Sequence, residues 1–140
     1  MSTEGIAALG VPLVSAIGGI IASWEVARQL SLPAIFTERE ENGEMTLRRG
    51  FELPNGANVL IVEDVITTGK SSAECAAALE KAGAQIAALA CIVDRRAQGG
   101  ADFPWPFYPA VKLSVASWDA GDCELCKKGI PVVKPGSRKI

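Results

Sequence analysis

Histidine is absent from this sequence, tyrosine occurs once, and no apolar run is long enough to cross a bilayer. The longest such run, over residues 11–22, is interrupted by Pro12, Ser15, Gly18 and Gly19, whereas a span needs roughly 20 predominantly apolar residues. An excess of one charge is also missing: 14 basic against 16 acidic side chains leave a net charge of −2. That balance excludes a chain that coats nucleic acid or stays unfolded through self-repulsion. No basic cluster opens the chain, where Glu4 stands instead, so no signal peptide is read. Four cysteines without an export signal predict reduced thiols and a cytoplasmic protein. With no histidine and no second Cys-x-x-Cys, Cys123 and Cys126 cannot complete a zinc set within one chain. Internal repeats and low-complexity segments are lacking too. What remains is 140 residues, 49% of them hydrophobic, enough for one globular domain over 1–140.

Apolar segments and turn signals alternate along that domain. A strand is predicted over 11–16, then a Gly18-Gly19 turn. A helix over 20–30 follows, with Ile20, Trp24, Ala27 and Leu30 on one face and Ser23, Arg28 and Gln29 elsewhere. Residues 33–37 read as a second strand. The charged stretch 38–44 contains Asn42-Gly43, a turn signal, and 45–53 returns antiparallel, so 37–53 is a hairpin insert. A buried strand opens at Val59, a helix covers 72–82 with Gly83 as its C-cap, and 86–93 is another apolar strand. A loop rich in proline and aromatic residues over 103–109 leads to a last strand over 111–115, with 117–140 as a tail. The βαβ alternation predicts an α/β fold with a parallel sheet flanked by helices, and ligands at the carboxyl ends of its strands.

The most informative stretch is 59–72. Four apolar residues, Val59 to Val62, end in the acidic pair Glu63-Asp64; Thr67-Thr68-Gly69-Lys70-Ser71 follows, then an alanine-rich helix. Amides at a helix N-terminus favour a phosphate dianion, and Gly69 lets the backbone approach closely. Carboxylates only accept hydrogen bonds, so a pair beside the phosphate suits the vicinal hydroxyls of a ribose. An ATP-binding P-loop would place glycine five residues before Gly69, where Asp64 stands and would repel phosphate. A plain capped turn accounts for Thr68, Ser71 and Ser72. It leaves unexplained two carboxyls at the mouth of a buried strand, where desolvation and mutual repulsion both cost stability.

This segment resembles the phosphoribosyl-pyrophosphate (PRPP) loop of type I phosphoribosyltransferases: hydrophobic strand, two acidic residues, two apolar residues, then a Thr-Gly phosphate loop. The resemblance implies that family's fold, with PRPP held by Glu63, Asp64, Val65, Ile66, Thr67, Thr68, Gly69, Lys70 and Ser71. Purine-salvage members commonly carry aspartate where Thr67 stands. The wording Glu-Asp-Val-Ile-Thr-Thr-Gly is most similar to orotate phosphoribosyltransferases.

Three further segments carry the likeness. Ser15-Ala16-Ile17-Gly18-Gly19 could present amides to an anion or simply permit a tight turn. With the following Glu25-Val26-Ala27-Arg28 it resembles the family's pyrophosphate-side loop and helix, so Ile17, Gly18 and Gly19 are implied contacts, although the lysine common there is missing. The charged hairpin reads by itself as a solvated, salt-bridged surface. The resemblance makes it a mobile loop with Arg39 as the cation facing the departing pyrophosphate, and Arg48 and Arg49 as weaker choices. Asp94-Arg95-Arg96 closes the 86–93 strand, where an arginine suits bidentate capture of a carboxylate or a surface pair with Asp94. In the family an arginine so placed holds orotate, which implies Arg95 and Thr67 around the base. Cys75 and Cys91 read as core residues. Cys123 and Cys126 read as half a zinc site or a redox pair, in a tail similar to that of some bacterial members.

The resemblance therefore implies transfer of 5-phosphoribose from PRPP to orotate, with Glu63, Asp64 and Arg39 catalytic. It also implies Mg²⁺ carried by PRPP near Asp64 without a direct protein ligand set, and a homodimer. Relatives carry an N-terminal hood over the orotate that is expected to be missing here. Two alternatives stand beside this one: a PRPP-binding regulatory module without turnover, and transfer to another base.

Overall fold

A computed structural model of the chain describes residues 13–47, 49–96, 102–116, 118–119 and 121–131. In chain order these form β1 (Leu13–Ala16), a 3-10 turn (Ile17–Gly19), α1 (Ile20–Leu30), β2 (Ala34–Arg39) and β3 (Met45–Leu47). There follow β4 (Asn58–Ile66), α2 (Lys70–Lys81), β5 (Gln85–Asp94), β6 (Phe107–Lys112) and the single helical turn α3 (Glu124–Lys127). Six strands make one sheet in the order β3-β2-β1-β4-β5-β6. Every neighbouring pair is parallel except β2 with β3. The expected α/β sheet flanked by helices is what forms.

Strand β4 is central and buried on both faces. Alternation sends Val59 and Ile61 to one side and Leu60 and Val62 to the other. On the first side α2 lays down Ser72, Cys75, Ala76 and Leu79, a stripe at helical spacing. Leu79, Val14 and Leu89 are fully buried beside Val59 and Ile61. Gly83 ends the helix with φ +87, while its amide bonds to the Glu80 carbonyl at 2.9 Å and the Ala84 amide to Leu79 at 3.0 Å. This is the paired closure that a left-handed glycine allows.

Helix α1 begins and ends where the sequence predicts, but its buried face differs. Ser23 and Ala27 are the residues against the sheet, while Trp24 is 57% and Ile21 82% exposed. Ala22 and Val26 pack beside Ser23 and Ala27 against the cluster of Leu60, Val62 and Ala88, while Ile21 and Trp24 turn outward. Its end is closed by Ser31 at φ +54, with the Leu32 amide on the Ala27 carbonyl at 2.9 Å and Pro33 beyond.

Two strand assignments change. The returning arm of the hairpin pairs only over Met45–Leu47, because Arg49 and Gly50 both take positive φ, 61° and 74°, and turn the chain out of the pleat. The last strand is Phe107–Lys112, not 111–115, and pairs parallel with β5 despite Pro109. An edge strand has one side without a partner, so a residue lacking N–H is tolerated there. The strand predicted over 11–16 is seen from Leu13; residues 11 and 12 lie outside the described residues.

Candidate active site

Strands β1 and β4 are neighbours, yet the chain continues from β1 towards β2 on one side and from β4 towards β5 on the other. At such a switch point the loops diverge and leave a crevice beyond the carboxyl ends. The Ile17–Gly19 turn and the Glu63–Ser71 segment occupy that crevice. They touch through Gly18, where an added Cβ would sit 3.2 Å from an Asp64 carboxylate oxygen. At Gly19 the Cβ would lie 2.6 Å from the Val62 carbonyl and 3.0 Å from Ser15 Cβ, so only glycine allows this approach. The close contact carries the turn onto β4 and brings its backbone beside the acidic pair.

Glu63 is 5% exposed. Burial pushes its pKa up to about 7, a backbone hydrogen bond at Ala16 holds it back, and the neighbouring Asp64 raises it further. Its Oε1 is buried without a hydrogen-bond partner among the described residues. An orphan carboxyl oxygen in such a place costs stability unless a ligand completes it. Asp64 is half-buried, and its Oδ1 accepts the Val65 amide at 2.8 Å. Thr37 is fully buried within β2, where its hydroxyl donates to the Ser15 carbonyl at 3.3 Å and lies 3.4 Å from Cys75 Sγ. A cavity of about 220 Å³ opens between Gly18, Thr37, Arg39, Glu63, Asp64 and Ser71.

Beside it a smaller hollow of about 50 Å³ is walled by Glu63 and the whole 65–72 loop. Gly69 takes φ +79 to cap α2, which starts at Lys70, two residues before the predicted helix, so Lys70 and Ser71 belong to its first turn. First-turn amides have no carbonyl one turn back; that of Lys70 reaches Thr68 Oγ1 at 3.3 Å. Thr67, Thr68 and Ser71 are exposed around the hollow. Ile66 turns its side chain into the core and only its backbone faces the loop, whereas Val65 is 41% exposed.

The arginines divide. Arg39 ends β2 in the cavity wall, but its guanidinium is bonded to Glu74 of α2 and donates to the Gly43 carbonyl at 2.9 Å. Arg49 pairs with Glu38 at 2.9 Å on the hairpin surface, and Arg48 lies outside the described residues. Arg96, not Arg95, makes the pair with Asp94, donating from Nε at 2.9 Å and Nη2 at 3.0 Å, and it stacks over Phe103 and Phe107. Arg95 is left exposed with no side-chain partner among the described residues, and its amide bonds to the Ile66 carbonyl at 2.8 Å. That bond sets Arg95 beside Thr67, one step beyond the Ile66–Asp94 register pair. Period-two alternation at a strand end carried the signal: Asp94 and Arg96 share a face and Arg95 takes the other.

Sequence reasoning missed Phe103 and Glu74. The Phe103 ring packs on Gly69, where a Cβ would come within 2.8 Å of it, and it is stacked with Trp105. The Phe-x-Trp-x-Phe alternation over 103–107 was a usable sign. Among the described residues no three acidic or cysteine side chains converge as a metal site.

A family model of the phosphoribosyl transferase domain matches residues 5–118. The chain is similar to an orotate phosphoribosyltransferase of Caldanaerobacter subterraneus subsp. tengcongensis, 48% identical over 132 residues, covering 94% of this chain and 68% of that protein. Its fold is similar to the crystal structure of orotate phosphoribosyltransferase from Aeropyrum pernix, with TM-score 0.60 and 21% identity, over 79% of this chain and 71% of that one. It is likewise similar to adenine phosphoribosyltransferase from Thermoanaerobacter pseudethanolicus, with TM-score 0.63 and 14% identity, over 79% of this chain and 78% of that one.

Proposed function

This chain belongs to the phosphoribosyltransferase family, on its orotate phosphoribosyltransferase branch, and from that premise we propose that it transfers 5-phosphoribose from PRPP to orotate, releasing pyrophosphate and orotidine 5′-monophosphate. The observation that carries the reading is the buried Glu63 carboxyl, its Oε1 unpartnered, next to Asp64 and against the first turn of α2. The first-turn amides and the hydroxyls of Thr67, Thr68 and Ser71 hold the 5′-phosphate. Glu63 and Asp64 accept hydrogen bonds from the ribose hydroxyls, and their negative charge lies near the cation that develops as the anomeric bond breaks. Backbone amides of Ile17, Gly18 and Gly19 face the pyrophosphate. Arg39 turns to the leaving group once Glu74 releases it, and Arg95 takes the orotate carboxylate beside Thr67.

Oxygen donors without a closed ligand set among the described residues suit Mg²⁺ brought in with PRPP, and the Asp64 carboxylate would be the group to meet it. When bound, that ion neutralises charge building on the leaving group. The family likeness supports a homodimer, and the exposed Ile21, Ile92 and Tyr108 form an apolar surface that a second copy would cover. Light scattering of the purified chain measures that state.

Incubation with PRPP, Mg²⁺ and orotate, followed by orotate absorbance, tests the reaction. Loss of absorbance that depends on PRPP is expected. Intact PRPP binding without loss of absorbance would leave a binding module instead. In Asp64→Asn turnover should fall at least tenfold with an unchanged melting temperature; parallel loss of both would make the acidic pair structural.

A further inference from the structure

The Cys123-Glu124-Leu125-Cys126 segment is unused by the proposed reaction, and the structure builds it as a unit of its own. Before it, the amides of Asp122 and Cys123 both bond to the Asp119 carbonyl at 3.0 Å. Within it, the Lys127 amide reaches the Cys123 carbonyl at 3.0 Å, closing one helical turn. After it, Gly129 takes φ +69, its amide bonds to Cys126 at 2.9 Å, and the Ile130 amide bonds to Leu125 at 3.1 Å. Both ends of the turn are thus stapled by backbone hydrogen bonds. Cys123 has extended backbone, φ −74 and ψ 117, while Cys126 is helical, so the side chains stand one turn apart on the same face. That placement brings the two thiols to neighbouring positions on one turn.

Both sulfurs are half-exposed, unlike Cys75 and Cys91, which are buried in the core. No third ligand joins them among the described residues, so a closed zinc site is not formed by these groups. Two accessible thiols one turn apart, on a turn closed by backbone hydrogen bonds at both ends, can instead bond to each other.

We propose that Cys123 and Cys126 form a redox-active dithiol that closes to an intramolecular disulfide by exchange with a small-molecule disulfide of the glutathione class. Cys123 is the attacking sulfur. Amides of Cys126 and Leu125 and the Cys126 thiol stabilise its thiolate and lower its pKa, whereas Cys126 is raised. Its thiolate forms a bond to one sulfur of the oxidant, the oxidant's S–S bond breaks, and the first small thiolate leaves with the Cys123 proton. Cys126 then gives up its proton and attacks the Cys123 sulfur, forming the 123–126 bond and expelling the second small thiol. Two electrons pass from the protein to one disulfide, yielding two thiols.

The full chain is treated with oxidised glutathione at pH 7, quenched in acid, and read by intact mass and peptide mapping. The expected product has lost two hydrogens, with the bond inside the 123–126 peptide and Cys75 and Cys91 still free. Cys126→Ser should trap one glutathione on Cys123, and Cys123→Ser should take up glutathione at least tenfold more slowly. A wild-type chain that keeps glutathione without closing would overturn the proposal, as would equal rates in the two variants. Stoichiometric zinc binding that protects both thiols would overturn it in favour of a metal site.

Discussion

Glu63 shows how one residue ties stability to pH. Its carboxyl has an ordinary pKa of 4.5 and is pushed up to about 7 in the folded chain, chiefly by burial. Between those values the folded state binds more protons than the unfolded one. Stability from this group is therefore full below 4.5 and lost as pH rises through about 7. The whole span is worth on the order of 3 kcal/mol. Glu63→Gln should remove that slope: urea unfolding at pH 5 and pH 8 should show the wild type losing stability relative to the variant across the window. A parallel pH dependence in both proteins would place the titration elsewhere. Arg95 supplies the complementary residue-scale test. Its exposed side chain makes no hydrogen bond or ion pair among the described residues, so Arg95→Ala should leave unfolding within about 0.5 kcal/mol of wild type. The KM for orotate should rise about tenfold or more, as expected for loss of a charge-assisted pair, with little change for PRPP. The doublet at 95–96 was legible as a strand-end arginine site. Alternation puts Arg96 on the face of Asp94, and the rings of Phe103 and Phe107 lie under its guanidinium there.

At the scale of elements, the contact between the Ile17–Gly19 turn and β4 governs the site. The Val62 carbonyl, 2.6 Å from a Cβ at Gly19, is backbone in the central strand and cannot yield. Gly19→Ala should cost about 1–3 kcal/mol by overpacking, and should raise the KM for PRPP as the turn is pushed from Asp64. Denaturant unfolding and initial rates check the two effects separately; a neutral outcome in both would mean that the turn relaxes freely. The same close approach explains what the sequence pattern hid in α1. Its bounds matched the predicted 20–30 after the Gly18-Gly19 turn, but the predicted face through Trp24 took no account of the close approach at Gly19, and Ser23 and Ala27 lie against the sheet instead. Helix α2, predicted over 72–82 and seen from Lys70 to Lys81, buries Ser72, Cys75, Ala76 and Leu79 at helical spacing.

For the whole molecule, the sheet order β3-β2-β1-β4-β5-β6 brings two loops more than 40 residues apart in sequence to one crevice. PRPP bridging them, as proposed, would bind only the folded chain, so it should raise the melting temperature by an amount that grows with the logarithm of its concentration above Kd. At 100 times Kd the stabilisation is about 2.7 kcal/mol, several degrees for a chain of this size by thermal shift. No shift with PRPP and Mg²⁺ present would remove the pocket from consideration. By itself the sequence determined the local chemistry: the acidic pair at a strand end, the glycine that lets a phosphate loop turn, and the alternation that makes parallel strands. Those follow from neighbours in the chain, where propensity and period act directly. Tertiary structure alone decided that Arg39 is spent on Glu74, 35 residues away, and which face of α1 is covered. It also left Glu63 Oε1 buried with no hydrogen-bond partner among the described residues. Those outcomes depend on distances between strands and helices far apart in sequence, which no local pattern encodes.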